Sequence, residues 1–458
     1  MTDIYELYNS KLMTPEQLAA LFESGWVVGT DAGLAQPDGI LNALCARAKR
    51  EAQSDIVSVA EAEVSASNAA APGPGGLSGL RIHTMLDLYP FPYLTDPSYN
   101  GLVNGVSWFS GAYARKAVNA GYAEYIPNYY RDIPGIIRRC YHYDAFCASV
   151  SPMDSHGYFS LSATCSYSEA MLDRCDHIFL QVNKNMPRAV NNTQIHVSRV
   201  TALMEDDHAL PVIPETKLSE NSIIIGNLIA EQIPDGACIQ LGIGAIPDAT
   251  GSALRTKHDL GIHTEMFTDS MVGLIECGAV NNSRKKIHRG KTVTTFAYGS
   301  KRMYDYIDDN PDMIFLPVDH VNDPSVIALN DNMMSINAAV EVDLLGQVCA
   351  ESIGTKHMSG TGGQVDFVRG ATQSCGGKSF IAMEATAKNG TISKIVPTLA
   401  PGACVTTGKN DVDCVVTEYG IAELRGRSIG ERAAAMINIA HPDFRDALRY
   451  EAHKRGLL

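Results

Sequence analysis

The chain has 458 residues, too many for one typical hydrophobic core, so two domains are expected. A hydrophobic share of 45% and a charged share of 19%, with Pro and Gly not in excess, are those of an ordinary globular enzyme. The net charge of −14 excludes nucleic acid as a broad partner but leaves room for a small phosphorylated ligand held by backbone N–H groups and a few cations.

The N-terminus, Met1-Thr-Asp-Ile-Tyr-Glu-Leu-Tyr8, has no basic n-region and no apolar h-region. No apolar run reaches bilayer length, so no membrane is expected. The 11 cysteines lack CxxC pairs, which reads as free thiols in a reducing, cytoplasmic setting. Without ligand pairs at the usual spacing, no metal is expected either.

Thr14-Pro-Glu-Gln17 opens a helix with capping-box chemistry. Leu18, Leu21 and Phe22 supply its apolar face, and Gly25 ends it. The β-prone run Trp26-Val-Val28 follows, then Thr30-Asp-Ala-Gly33. Ser65 to Gly79, rich in Ala, Ser and Gly, reads as a surface loop. After the strand-like Ile195-His-Val-Ser-Arg-Val200 comes a Pro-containing seam, Ala209 to Glu215, which divides the chain into domains 1–216 and 217–458. The second half opens in the same way. Ser219 to Ile233 forms a helix, with Ile224, Ile225, Leu228 and Ile229 at helical spacing. Pro234-Asp-Gly236 breaks it, and Ala237-Cys-Ile-Gln240 leads into Gly242-Ile-Gly244.

Setting Gly25 against Gly236 aligns the two units without a gap. A later pair matches more loosely: Asp154-Ser-His-Gly-Tyr-Phe159 with Asp343-Leu-Leu-Gly-Gln-Val348. Helix–Gly–strand–loop is common in α/β proteins, so chance competes with duplication. Recurrence of both markers in the same order favours duplication. Alternating helical and strand patterns imply parallel sheets covered by helices.

Glu265, in Leu260-Gly-Ile-His-Thr-Glu-Met-Phe-Thr-Asp269, stands where an apolar run ends and an amphipathic run begins. A carboxylate at such a strand-to-helix switch sits at the ligand-binding end of an α/β sheet. It is able to attack an activated acyl group and hold it as an anhydride. His263, Thr268 and Asp269 are close enough in sequence to orient it, and Asp269 reads as the N-cap of a helix beginning at Ser270. The competing reading is a surface or salt-bridged carboxylate.

Gln240-Leu-Gly-Ile-Gly-Ala-Ile-Pro-Asp248 lacks the third glycine of a dinucleotide fingerprint, where Pro247 stands, which makes a Rossmann site a poor reading. Its glycines serve either a tight strand-to-helix turn or close approach of a ligand to backbone N–H groups. Ser359-Gly-Thr-Gly-Gly-Gln-Val-Asp-Phe367 packs Gly360, Gly362 and Gly363 into four residues. That is a flexible loop or a nest for a phosphate or oxyanion, and alternating Val365 and Phe367 anchor it. Asn337 and Glu418 are polar residues beside apolar runs. The chain has no HExxH or GxxxxGK[ST] motif, so zincin and P-loop readings have no support.

At these residues the sequence resembles a known family. GIHTEM around Glu265, QLGIGAIPDA (240–249), SGTGGQVDF (359–367), TEYGIAELRG (417–426) and AHPDFRDAL (440–448) resemble the acetyl-CoA hydrolase/transferase family. They are most similar to its butyryl-CoA:acetate and 4-hydroxybutyrate CoA-transferases. Lys301 to Asn310 and Ser151 to Tyr158 are similar too, while Asp31-Ala-Gly33 and Ser65 to Gly79 depart most. The resemblance implies an α/β fold of two similar open domains, ribose-isomerase-like and repeated in tandem. It implies Glu265 as nucleophile. Gln240, Gly242, Gly244, Gly362 and Gly363 would position the thioester or its oxyanion, with Ser359, Gly360, Asn337 and Glu418 in support of coenzyme A or the site.

The expected activity is exchange of coenzyme A between a short-chain acyl-CoA and a free carboxylate such as acetate, by ping-pong chemistry through a glutamyl-CoA thioester. An acyl-CoA hydrolase using the same glutamate is the alternative. A non-catalytic metabolite sensor is remote, because no DNA-binding helix pair or basic patch is evident. Coenzyme A is expected as a co-substrate with no permanently bound cofactor, and the family resemblance implies a homodimer or homotetramer.

Overall fold

The computed structural model describes residues 4–65, 76–214 and 217–458. Two compact units emerge. One is built from the described parts of Met1–Pro127, Ile133–Pro211 and Ile307–Asp309, the other from Asn128–Asp132, Val212–Tyr306 and Asn310–Leu458.

In the first unit, helix α1 (Pro15–Ala19) carries the expected capping box, Thr14 with Gln17. Leu18 and Phe22 are buried, but Leu21 faces solvent because the helix ends at Ala19. A seven-stranded sheet follows: β1 (Val27–Thr30), β2 (Leu80–Thr84), β3 (Val103–Ser107), β4 (Ala123–Tyr125), β5 (Tyr143–Val150), β6 (Cys175–Val182) and β7 (Ala202–Glu205). Its order is β4-β3-β2-β1-β5-β6-β7, and every neighbouring pair is parallel. The β5 run Ala145 to Val150 is buried without a break, as a strand covered on both faces requires. Helix α2 (Asp38–Ser65) occupies the start of the stretch read as a loop, since Ser65 is its last residue; residues 66–75 of that stretch lie outside the described residues. Asp31, just past β1, is buried and accepts hydrogen bonds from Ser168, Thr164 and the Ala32 N–H.

The second unit begins with helix α3 (Glu220–Glu231), capped by Ser219. Ile225 and Ile229 are buried, whereas Ile224 is exposed and lies off the buried stripe. Its six-stranded sheet contains β8 (Cys238–Leu241), β9 (Gly261–Ile262), β10 (Met333–Ala338), β11 (Lys378–Ala382), β12 (Cys414–Thr417) and β13 (Gly420–Glu423). The order is β9-β8-β10-β11-β12-β13, parallel except for the closing β12–β13 hairpin. Helices α4 (Ala245–Ala253), α5 (Asp269–Glu276) and α6 (Gln364–Gln373) follow loops at the carboxyl ends of strands. Ligands of open parallel sheets bind at those ends.

The repeat read from the sequence has a counterpart in local geometry. Gly25 and Gly236 both take a positive φ, 81° and 77°, two residues before β1 and β8. Each donates its N–H to the residue leading into the neighbouring strand, Ser78 before β2 and His258 before β9, at 2.8 Å in both cases. The second marker agrees more closely still. Asp154 Oδ1 accepts the N–H groups of His156 and Tyr158, and Asp343 Oδ1 those of Leu345 and Gln347, all at 2.9 Å. Gly157 and Gly346 turn the chain at φ 86° and 84°.

Candidate active site

Glu265 lies in the short link between β9 and a two-residue strand, Met266–Phe267, which pairs in parallel with Phe296–Ala297. Its main chain is fixed before its side chain is considered. The Glu265 carbonyl accepts from Thr294 Oγ1 at 2.9 Å, Thr295 N at 3.1 Å and Phe296 N at 3.3 Å. The preceding residues are tied as well, His263 N to the Ile239 carbonyl and Thr264 N to the Val293 carbonyl. The carboxyl group therefore projects from a rigid base, as a reacting group must.

The half-buried side chain has two donors. Asn322 Nδ2 donates to Glu265 Oε2 at 2.7 Å, and the Gly363 N–H donates to the same carboxylate. Asn322 caps the short helix Val318–Val321. Gly363 caps α6, so its N–H is among those that a helix start leaves open. Burial pushes the Glu265 carboxyl up to about 7, and the two donors hold it below where burial alone would put it. A side chain at 363 has no room: its Cβ would stand 1.9 Å from Glu265 Oε2 and 2.2 Å from Asn322 Nδ2.

The three neighbours read as orienting groups are engaged elsewhere. His263 is buried and bonds the Val321 carbonyl through Nε2 at 2.8 Å. Thr268 pairs with Ser270, hydroxyl to hydroxyl. Asp269 is the first residue of α5 rather than its cap, and its carboxylate accepts from Ser300 N and Oγ. Thr268 takes the cap position with no side-chain bond. Val365 and Phe367, which follow the GTGG loop, are both buried in α6.

Among the glycine-loop residues, Gly363 reaches Glu265, and Gly362 precedes it in a left-handed turn at φ 61°. Gln240 and Asn337, on adjoining strands, exchange amide hydrogen bonds at 3.3 and 3.1 Å. Gln364 Nε2 bonds the Ala338 carbonyl at 2.8 Å, which brings the GTGG loop to the end of β10. Gly242 N–H bonds the Ile336 carbonyl, and Gly244 caps α4. Ser359 Oγ bonds the carbonyl of Gly360, and Glu418 accepts the N–H of Ala385. The hydrogen bonds of Gln240, Asn337, Ser359 and Glu418 thus run to one another or to backbone, not to Glu265. A cavity of about 500 Å³, which Glu265 does not line, is lined in part by Ile243, Asp248, Arg255, Thr268, Asp269 and Arg302.

Sequence reading missed Asn322, Thr294, Thr295 and a buried acid, Asp366. Asp366 lies in the quoted GTGG motif, but nothing in its local pattern gave a reason to turn it toward Glu265. For Asn322 no local pattern exists, because 57 residues separate it from the carboxylate it holds.

Residues 84–214 match the N-terminal domain of acetyl-CoA hydrolase/transferase, and residues 299–452 match its C-terminal domain. The chain belongs to the acetyl-CoA hydrolase/transferase family. A succinyl-CoA:cyclohexane-1-carboxylate CoA transferase of Geobacter metallireducens is 44% identical, over 98% of this chain and 96% of its own. The 4-hydroxybutyrate coenzyme A transferase of Clostridium kluyveri is 46% identical, over 76% of this chain and 81% of its own. The crystal structure of RipA from Yersinia pestis superposes with a TM-score of 0.90 at 36% identity, covering all of both chains. Acetyl-CoA hydrolase/transferase relatives this similar are named CoA-transferases, and this chain is an enzyme of that class.

Proposed function

We propose that this enzyme moves coenzyme A between a short-chain acyl-CoA and a free carboxylate by way of a thioester on Glu265. One observation carries the reading: a rigidly based, half-buried carboxylate is held by two donors at the end of a parallel sheet. A structural ion pair would place a cation there. Here the partners are an uncharged amide and a backbone N–H.

The Glu265 carboxylate attacks the acyl carbonyl, and the C–S electron pair leaves as the coenzyme A thiolate, giving a mixed anhydride. The thiolate then attacks the Glu265 carbonyl carbon. The C–O bond to the first acid breaks, and that acid departs as a carboxylate. A second acid runs the same steps in reverse. Burial that raises the carboxyl to about 7 also leaves its anion poorly solvated and more basic, which suits a nucleophile. The Gly363 N–H and the Asn322 amide, which hold the carboxylate at rest, stand ready for the oxyanion formed at the Glu265 carbon. The Gln240 amide, paired with Asn337, would have to change partner to join them. The cavity beside α4 and α5 is assigned to part of coenzyme A, because the N-terminus of α5 and Arg255 favour phosphate there, against the Asp248 and Asp269 carboxylates.

The names of the relatives favour short-chain acids such as butyrate, 4-hydroxybutyrate and acetate, with a cyclic carboxylate as a wider option. Coenzyme A serves as co-substrate, and no bound cofactor is invoked. Eleven free cysteines support a reducing, cytoplasmic setting, and a homodimer or homotetramer is part of the same proposal. Among the described residues no helix is long and apolar enough to cross a membrane.

The test is to mix enzyme with acyl-CoA, reduce with borohydride and map the product by mass spectrometry. A modification on the Glu265 peptide supports the relay; unmodified protein under turnover conditions refutes it. Hydrolysis is a second reading, because Glu265 is only half-buried. Release of free coenzyme A without an acceptor acid, at a rate matching exchange, would select it.

A further inference from the structure

Asp366 is an ionisable group of this site that the relay leaves unused. It is 2% exposed and stands three residues after Gly363 in the first turn of α6. Its Oδ2 has no hydrogen-bond partner among the described residues. Its Oδ1 lies 3.9 Å from Arg131 Nε, and the Arg131 backbone N–H also donates to the carboxyl. Arg131 belongs to a short segment that touches the Glu265 support twice more. Tyr130 N–H bonds the Gly362 carbonyl at 3.2 Å, and the Tyr130 ring meets Phe296 edge-on, where the Phe296 N–H holds the Glu265 carbonyl.

Two carboxyl groups and one guanidinium therefore share a site that excludes much of the solvent. Both acids cannot ionise there cheaply. Burial and the nearby Glu265 charge push Asp366 well above the carboxylate range, with Arg131 opposing them. Glu265 ionises first, so it sets a charge beside Asp366 and not the reverse. The other charged groups facing Asp366 are Asp132 and Arg369, and Asp132 at 3.4 Å and Asp323 at 3.8 Å share the Arg131 guanidinium with it.

The geometry points to Asp366 as a positioning residue that trades charge with Glu265: neutral while Glu265 is a free carboxylate, ionised against Arg131 while Glu265 is a coenzyme A thioester. This rests on the Glu265 relay proposed above. The first half-reaction converts the Glu265 carboxylate, neutral Asp366 and acyl-CoA into the Glu265 thioester, a free carboxylate, ionised Asp366 and one proton passed to solvent. The second half-reaction takes that proton back. The Glu265–Asp366 pair carries a single negative charge throughout, so the Arg131 segment and the GTGG loop keep their attraction when Glu265 becomes neutral.

Proton release tests this directly. Enzyme and acyl-CoA are mixed without acceptor in weak buffer at about pH 8.5, where free Glu265 is already ionised. A pH-indicator dye follows the burst, and mass spectrometry counts thioester. Wild type should release about one proton per thioester formed. Asp366→Asn and Arg131→Gln should form thioester with the burst lost, and Arg131→Gln covers the case in which Asp366→Asn misfolds. Wild-type thioester without a proton burst, or an undiminished burst in Asp366→Asn, overturns the proposal while leaving the relay intact. Absence of thioester in wild type overturns the relay itself, and this proposal with it.

Discussion

Gly363 is a glycine because Glu265 is beside it. The backbone at 363 sits at φ −101°, which any residue adopts, so conformation makes no demand. Space does: a Cβ would overlap both Glu265 Oε2 and Asn322 Nδ2. The sequence motif and the chemistry meet at this contact, since it lets a helix N-terminus touch the nucleophile. Gly363→Ala should therefore fold normally and turn over ~10²–10³-fold more slowly, the usual loss for one misplaced backbone donor. Steady-state kcat together with a melting curve checks this; full activity in a folded variant would mean that the contact has no part in catalysis.

The Glu265 carboxyl sets a pH dependence whose sign is fixed. Folding raises it from 4.5 to about 7, so the folded protein binds a proton that the unfolded chain has already released. Stability from this group is complete below 4.5 and is lost as the pH rises through about 7. Glu265→Gln removes the charge and should stabilise the protein at about pH 8 by up to about 3 kcal/mol, with little effect near pH 4. Denaturant titrations at the two pH values test it, and an equal difference at both would show that burial is not what shifts this carboxyl. In the parent enzyme, activity should fall as the pH drops through about 7, because the anion is the nucleophile.

Much of this was legible locally. The Thr14–Gln17 capping box, the Gly25 and Gly236 turns and the placement of Glu265 at a strand end all follow from short patterns with a steric or hydrogen-bonding cause. What stayed hidden depends on distant parts of the chain. Asn322, Thr294 and Arg131 reach Glu265 or Asp366 only through tertiary packing, and no periodicity encodes that. Val365 and Phe367 left the element type open, because two apolar residues at a spacing of two suit either a strand or the inward arc of a helix. Asp269 looked like a cap by residue type, yet two Ser300 donors claim its oxygens.

Asn322 should tune Glu265 as well as hold it. Its amide lowers the carboxyl against the pull of burial. Asn322→Leu keeps the approximate volume and removes that donor. The acid limb of the pH–rate profile should then move up by about one unit, because only burial and the Gly363 N–H remain. The rate above the new limb should fall by about tenfold or more as the carboxylate loses its fixed orientation. A slower enzyme with an unmoved limb would assign Asn322 to orientation alone.

The paired Asp turns should respond alike to alanine, because their backbone hydrogen bonds correspond one for one. Asp343 Oδ1 takes two backbone N–H groups, and Oδ2 takes the Gln347 side chain at 2.8 Å. Asp154 makes the same backbone bonds, and its Oδ2 takes Arg188 at 2.7 Å. Asp343→Ala strands two donors in a tight turn and should cost about 1–3 kcal/mol. Asp343→Asn keeps an acceptor at Oδ1 and should recover most of that. Asp154→Ala should fall in the same range, with Asp154→Asn recovering less because a charged partner is lost as well. Thermal melts of the four variants decide the matter; if alanine and asparagine were equally costly at 343, the turn would depend on the charge and not on the two backbone bonds.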